Sequence, residues 1–181
     1  MSIKLWGSVT SACTHRVLIT LNELGLKYNL TQVNLMRGEQ RDPAYIEEQH
    51  PFGRIPVIHD GDLQLFKFRA ICRYLVTKYG GPSSSLDAVV SDDPVKIGKF
   101  EKALSIDCSK FLLRPVRQDI VQREAMEEES SLADVYVFTW MPYIKLLGLY
   151  EEVAGRPNVE DLWKRVSSRS AWKSAVKDMP Q

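Results

Sequence analysis

The chain has 181 residues, with 24 Lys+Arg against 23 Asp+Glu, long enough for one or two domains with a real core. A formal charge of +1 leaves no electrostatic footprint for nucleic acid or an anionic membrane surface. No apolar run reaches the ~20 residues a bilayer crossing needs and the N-terminus lacks a signal-peptide pattern, so the sequence predicts a cytoplasmic protein with no membrane and no nucleic-acid partner.

Cys13, Cys72 and Cys108 are far apart and fall in no CxxC or Cys/His pattern, which predicts reduced thiols and no metal site. In chain order, Ile3-Lys4-Leu5-Trp6 alternates and stops at Gly7, a short strand. Ser11 to Leu24 carries Val17, Leu18, Leu21 and Leu24 on one face and closes at Gly25, which predicts a helix. Tyr28 to Leu35 alternates again, and strand, helix, strand implies a right-handed parallel crossover between neighbouring strands. A loop with Gly38 and Asp42-Pro43 leads into a short helix from Pro43 to Gln49.

Pro51 to Tyr74 is the stretch that organises the rest. Its apolar residues first alternate, with Asp60-Gly61 as a two-residue turn between two strands, and then take a helical spacing that runs to about Tyr79. Pro56 opens the first of these strands, where proline is accommodated at an edge, at a first residue or across a cis bond.

Gly80 to Ser85 is rich in helix breakers and places a linker at 81–94, between one domain over 1–80 and an all-helical one over 95–181. Pro94 to Leu113 reads as a helix that Pro115 ends or kinks. Gln118 to Glu128 reads as an exposed helix or its frayed remnant, and the Glu127-Glu128-Glu129 run as a solvated acidic face. Ser131-Leu132-Ala133-Asp134 is a capping box, and Val135, Phe138, Trp140, Met141, Ile144, Leu147 and Leu149 make the helix after it apolar around much of its circumference, as in a buried helix. Asn158 to Ser168 and Ala171 to Lys177 read as closing helices.

Phe52-Gly53-Arg54-Ile55-Pro56, Asp60-Gly61, Phe66-x-x-Arg69-Ala70-Ile71 and the segment from Gly7 to Val17 together resemble the N-terminal domain of cytosolic glutathione transferases, most like the phi class of plants and fungi. The Ser-Leu-Ala-Asp at 131–134 is similar to the opening of the central helix of that family's second domain. The resemblance implies an α/β thioredoxin-like N-terminal domain (βαβ, α, ββα) followed by an all-α domain. It implies conjugation of the glutathione thiolate to a small hydrophobic electrophile, with no cofactor. It also implies a homodimer in which about Phe68 to Tyr79 of one subunit meets about Pro94 to Leu113 of the other; Phe52, on the loop before the hairpin, reads either as an apolar contribution to that contact or as a core residue.

Ser11 matches the serine that hydrogen-bonds the glutathione sulfur. A free thiol titrates near 8.5 while the thiolate is the nucleophile, so a hydroxyl donor and a helix N-terminus aimed at the sulfur both favour the reactive form. Cys13 is the alternative nucleophile, since some members of the superfamily use a cysteine and form a mixed disulfide with glutathione, although it lies two positions past the matching site. Arg16 matches an arginine common in the family, read as a structural ion-pair partner. By the same resemblance Ile55 precedes a cis Pro56 and presents its backbone to the cysteinyl part of glutathione, and Gln40 and Arg41 meet the glycyl carboxylate. Arg54 stands beside Ile55 in place of the family's glutamine, within reach of the peptide's carboxylate.

Two departures stand out. Lys67-Phe68 replaces the family's Glu/Gln-Ser, whose side chains hold the γ-glutamyl ammonium and carboxylate, and losing two such contacts costs ~2–5 kcal/mol, roughly 30-fold to several-thousandfold in affinity. Arg69 and Ser131 are 62 positions apart, too few by about one helix, which predicts a shortened second domain. These departures support a second reading, a transferase-like protein with impaired glutathione binding that acts as a ligand-binding or interaction module.

Overall fold

The computed structural model describes residues 2–81, 93–95, 97–102, 135–136, 139–146, 150 and 157–177. The strands β1 (Ile3–Gly7), β2 (Tyr28–Gln32), β3 (Val57–Asp60) and β4 (Leu63–Phe66) form one sheet in the order β2-β1-β3-β4. β1 runs parallel to β2 and antiparallel to β3, and β4 is antiparallel to β3. Helices α1 (Ala12–Glu23), α2 (Pro43–Glu48) and α3 (Phe68–Tyr79) complete the βαβ, α, ββα order, preceded at α2 by a 3-10 turn over Glu39–Arg41. This is the thioredoxin-like arrangement that the resemblance implied.

The apolar residues at helical and strand spacing meet where expected. Leu5 and Ile58 from the sheet, Val17 and Leu21 from α1, and Ile71 and Leu75 from α3 are all completely buried and share one core. Beyond the linker the chain is helical at 94–95 and 97–102, and then in α4 (Met141–Leu146), α5 (Pro157–Ser168) and α6 (Ser170–Val176). α6 packs on α1, with Trp172 edge-on to Trp163 at 5.2 Å. Arg169 forks onto both carboxylate oxygens of Glu23 at 2.5 Å each, a two-point contact between the helical segment and the α/β domain.

Three local expectations change. The hairpin loop is Gly61-Asp62, one residue later than Asp60-Gly61, because Asp60 pairs with Leu63 inside the ladder. Gly61, at φ +63, supplies the left-handed conformation that the first loop position of such a turn requires. Asp60 serves elsewhere: its carboxylate accepts from Tyr74 Oη and Tyr79 Oη at 2.6 Å and from Lys78 Nζ at 2.8 Å, pinning β3 to α3. Burial pushes that carboxyl up, and the three donors override it and hold the pKa at about 2.

β2 ends at Gln32 rather than Leu35, because the Asn34 side chain accepts from the Met36 and Arg37 N–H groups in a turn of its own. The helix expected through Val135 to Leu149 is interrupted by a turn at Thr139–Trp140 before α4. Pro142 gives the reason, since it has no N–H for an interior helix bond and is accommodated in a first turn. The capping box at 131–134, Cys108, the 127–129 acidic run, Pro115 and most of the linker lie outside the described residues.

Candidate functional site

The end of β1 makes the first wall of the site. A Cβ on Gly7 would lie 2.5 Å from Thr14 Cγ2, so only glycine lets the chain turn beneath the start of α1. Thr14 Oγ1 accepts from Ser8 N–H at 3.2 Å, the Ser8 and Thr10 hydroxyls bond each other at 2.9 Å, and Ser11 N–H donates to Ser8 C=O at 3.0 Å. Ser11 is the N-cap of α1, in extended backbone, and its Oγ accepts from Thr14 N–H at 3.4 Å. Ser8, Thr10, Ser11 and Thr14 all carry hydroxyls here. Ser8 and Thr14 are buried and Thr10 is tied to Ser8. Ser11 is half-exposed at the helix terminus, accepts once, and has no partner for its own proton among the described residues.

The sheet register brings the other walls to the same end. Trp6 pairs with Val57 and Val57 with Phe66, so the end of β1, the start of β3 and the end of β4 lie side by side. Ile55-Pro56 is cis, as the resemblance implied. Tyr45 Oη donates to Arg54 C=O at 3.0 Å, while no hydrogen bond among the described residues takes up the Ile55 N–H or C=O. Gly53, at φ +57, passes so close to the Gln40 carbonyl that a Cβ would sit 2.8 Å from it. This contact sets the 3-10 turn carrying Gln40 and Arg41 against the loop before Ile55. Gln40 Oε1 is buried with no hydrogen-bond partner among the described residues, whereas Arg41 and Arg54 are exposed.

Lys67 caps α3 with its backbone at φ +72 and no side-chain cap bond. Its exposed ammonium lies 5.6 Å from the ring of Phe52, and its charge adds to burial in lowering the pKa of His50. Phe68 turns inward. Its ring takes the Arg16 guanidinium at 4.3 Å on its face and meets Tyr136 edge-to-face at 5.1 Å. Arg16, 3% exposed, donates from Nε to Thr139 Oγ1 at 2.9 Å and from Nη2 to Tyr136 C=O at 2.5 Å. It therefore joins α1 to the helical segment from beneath the site, a wider role than the ion pair expected of it.

The helical segment also supplies a residue the sequence did not mark. Tyr143 Oη donates to the Thr10 carbonyl at 2.7 Å. Burial and then the neighbouring Cys13 push the Tyr143 phenol up to about 12. Cys13 itself is half-buried at the second position of α1, two residues past Ser11 and so on a different face of the helix. Cys72 is fully buried and burial raises it to about 11, so it is an inert core thiol.

Residues 1–77 match the glutathione S-transferase N-terminal domain. A glutathione S-transferase of Hyoscyamus muticus is 30% identical over 151 residues, covering 75% of this chain and 69% of that protein. The chain belongs to the glutathione S-transferase family. Glutathione S-transferase PM239X14 of Arabidopsis thaliana is 45% identical over 112 residues, 61% of this chain, and at that identity the chain spans 50% of the relative's length. The crystal structure of poplar glutathione transferase F1 shares the fold at a TM-score of 0.81 with 24% identity, covering 98% of this chain and 97% of that one. The family match contains Ser11, Cys13, Gln40, Arg41, Arg54, Ile55, Pro56, Lys67 and Phe68. Tyr136, Thr139 and Tyr143 lie beyond it, so the glutathione S-transferase motif alone does not reveal them.

Proposed function

We propose that this family member is a phi-like glutathione transferase that conjugates the glutathione thiolate to small hydrophobic electrophiles. The observation that carries this reading is a helix N-cap hydroxyl whose proton has no partner among the described residues, at the same sheet end as a backbone edge whose N–H and C=O have none there either. In this reading Ile55 pairs with the cysteinyl backbone of glutathione and sets the sulfur in front of Ser11. The Ser11 proton and the α1 terminus then favour the thiolate. Lowering the thiol pKa by about two units takes ~2.7 kcal/mol, within reach of one hydrogen bond to an anion plus a helix terminus. Gln40, through its Nε2 donor, and Arg41 serve the glycyl carboxylate. The backbone at the start of α3 serves the γ-glutamyl end, and the Lys67 ammonium beside the γ-glutamyl ammonium weakens the complex.

The same reading places the protein in the cytoplasm as a homodimer, with α3 of one subunit against the segment after residue 94 of the other. Phe52, 67% exposed beside that end of the sheet, supports an apolar contribution to the contact, and sedimentation at micromolar concentration showing a dimer is the expected result. For the activity, the test is retention on immobilised glutathione together with turnover of glutathione and a chloronitrobenzene. Retention with conjugation is expected, and a protein that neither binds the matrix nor conjugates contradicts the reading.

A further inference from the structure

The Thr10–Ser11 peptide unit is held at both ends. Its N–H donates to Ser8 C=O at 3.0 Å within the loop, and its C=O accepts from Tyr143 Oη at 2.7 Å across 133 residues of chain. The orientation of this one peptide sets the φ of Ser11, and with it the direction of the Ser11 hydroxyl. Loop bonds hold only its N–H end, since the Ser8–Thr10 hydroxyl pair precedes the peptide and the Ser8 N–H to Thr14 Oγ1 bond spans it without touching its carbonyl. We propose that Tyr143 is a positioning residue for Ser11, its hydroxyl locking the Thr10–Ser11 peptide so that the serine proton points where the glutathione sulfur lies.

Tyr143 is itself well anchored. It lies in α4 between Met141 and Ile144, both about 95% buried, and its ring meets Trp140 at 5.8 Å. The same helical segment grips α1 a second time through Arg16, which bonds Thr139 and Tyr136. These two attachments flank the first turn of α1, so the helical segment holds the residue that carries the chemistry rather than merely resting on the domain. With its phenol raised to about 12 by burial and Cys13, Tyr143 keeps its proton, and so its hydrogen bond, at every pH at which the thiol titrates. The proposal rests on Ser11 acting on the sulfur, as argued above.

The test is Tyr143→Phe, which keeps the ring and removes only the hydroxyl, made in the natural chain and in Ser11→Ala. Expected in the natural chain are a loss of about 10-fold in kcat, a KM for glutathione within twofold, and a shift of the acid limb of the pH–rate profile to higher pH. Because Tyr143 acts through Ser11, the same change in Ser11→Ala is expected to cause no further loss. An equal loss in both backgrounds, or unchanged kcat and pH profile in Tyr143→Phe beside a damaged Ser11→Ala, overturns this proposal alone. An unimpaired Ser11→Ala overturns the role of Ser11 and this proposal with it. Amide hydrogen exchange needs no turnover: residues 8–12 should exchange at least 10-fold faster in Tyr143→Phe with β1 and β3 unchanged, and unaltered protection there overturns the proposal.

Discussion

Replacing Arg16 by methionine tests how firmly the helical segment is joined to the α/β domain. Methionine keeps most of the apolar stem and removes the guanidinium, so the change isolates the polar contacts. Among the described residues, the change removes the charge-assisted hydrogen bonds from Nε to Thr139 Oγ1 at 2.9 Å and from Nη2 to Tyr136 C=O at 2.5 Å. Such bonds contribute ~1.5–3 kcal/mol each. The cost falls toward the lower end because Thr139 Oγ1 still donates to the same Tyr136 carbonyl at 3.0 Å, leaving that acceptor satisfied. The guanidinium also loses its place over the Phe68 ring at 4.3 Å, worth ~1–2 kcal/mol for a desolvated pair. Against these stands the relief of a buried charge, since Arg16 is 3% exposed and its desolvation takes back several kcal/mol. The balance is a loss of about 2–4 kcal/mol, or roughly 4–16 °C in Tm for a chain of this size. Urea unfolding followed by tryptophan fluorescence measures it, through Trp140 near the site and Trp163 and Trp172 in the closing helices. A change below about 0.5 kcal/mol would refute the reasoning, showing that the buried cation stabilises no more than an apolar side chain in its place.

Other outcomes follow from the same geometry. Lys67→Glu replaces a like charge beside the γ-glutamyl ammonium by an opposite one, so calorimetry should show glutathione bound at least tenfold more tightly; equal affinity in the two proteins contradicts this placement of the ligand. The change is best made alone, because Phe68→Ser would remove the ring that covers Arg16 and meets Tyr136 and should destabilise the fold by ~3 kcal/mol or more, whereas a near-neutral urea midpoint would count against that packing. His15 is fully buried, and burial holds its pKa at about 4 against 6.5 for the unfolded chain. The folded state therefore binds fewer protons between these values, and stability is complete above pH 6.5 and lost as pH falls toward 4, by about 3 kcal/mol. Urea midpoints between pH 7 and 4 should show this slope, and His15→Leu should flatten it; an unchanged slope in that variant assigns the acid sensitivity to other groups.

The α/β half was legible because its signals are local. Alternation at Ile3 to Trp6, the spaced Val17, Leu18 and Leu21, and the hairpin before α3 each specify an element within a few residues. The motif around Pro56 also carried the cis bond. Where the reading slipped, the deciding partner was remote or the turn chemistry was subtle. Asp60 looked like a turn residue because its three donors, at Tyr74, Lys78 and Tyr79, lie 14 to 19 positions away. Pro142 was present in the sequence as a break in the apolar helix, and the strength of that helix's buried pattern masked it. Tyr143 to Thr10 and Arg16 to Tyr136 and Thr139 span 120 to 133 positions, and no local pattern announces such pairs. Phe68 stood out as a missing serine, and only its contacts show what the phenylalanine does instead: it roofs a buried arginine.

The central claim is that the Ser11 hydroxyl stabilises the thiolate of bound glutathione. The direct measurement is the ultraviolet thiolate absorbance of glutathione bound to the protein, titrated against pH in the natural chain and in Ser11→Ala. The expected midpoint is near 6.5 in the natural chain, about two units below the free thiol, with a rise of at least one unit in Ser11→Ala and folding intact. A midpoint that is the same in both proteins, or that stays near 8.5 in the natural chain, would contradict it.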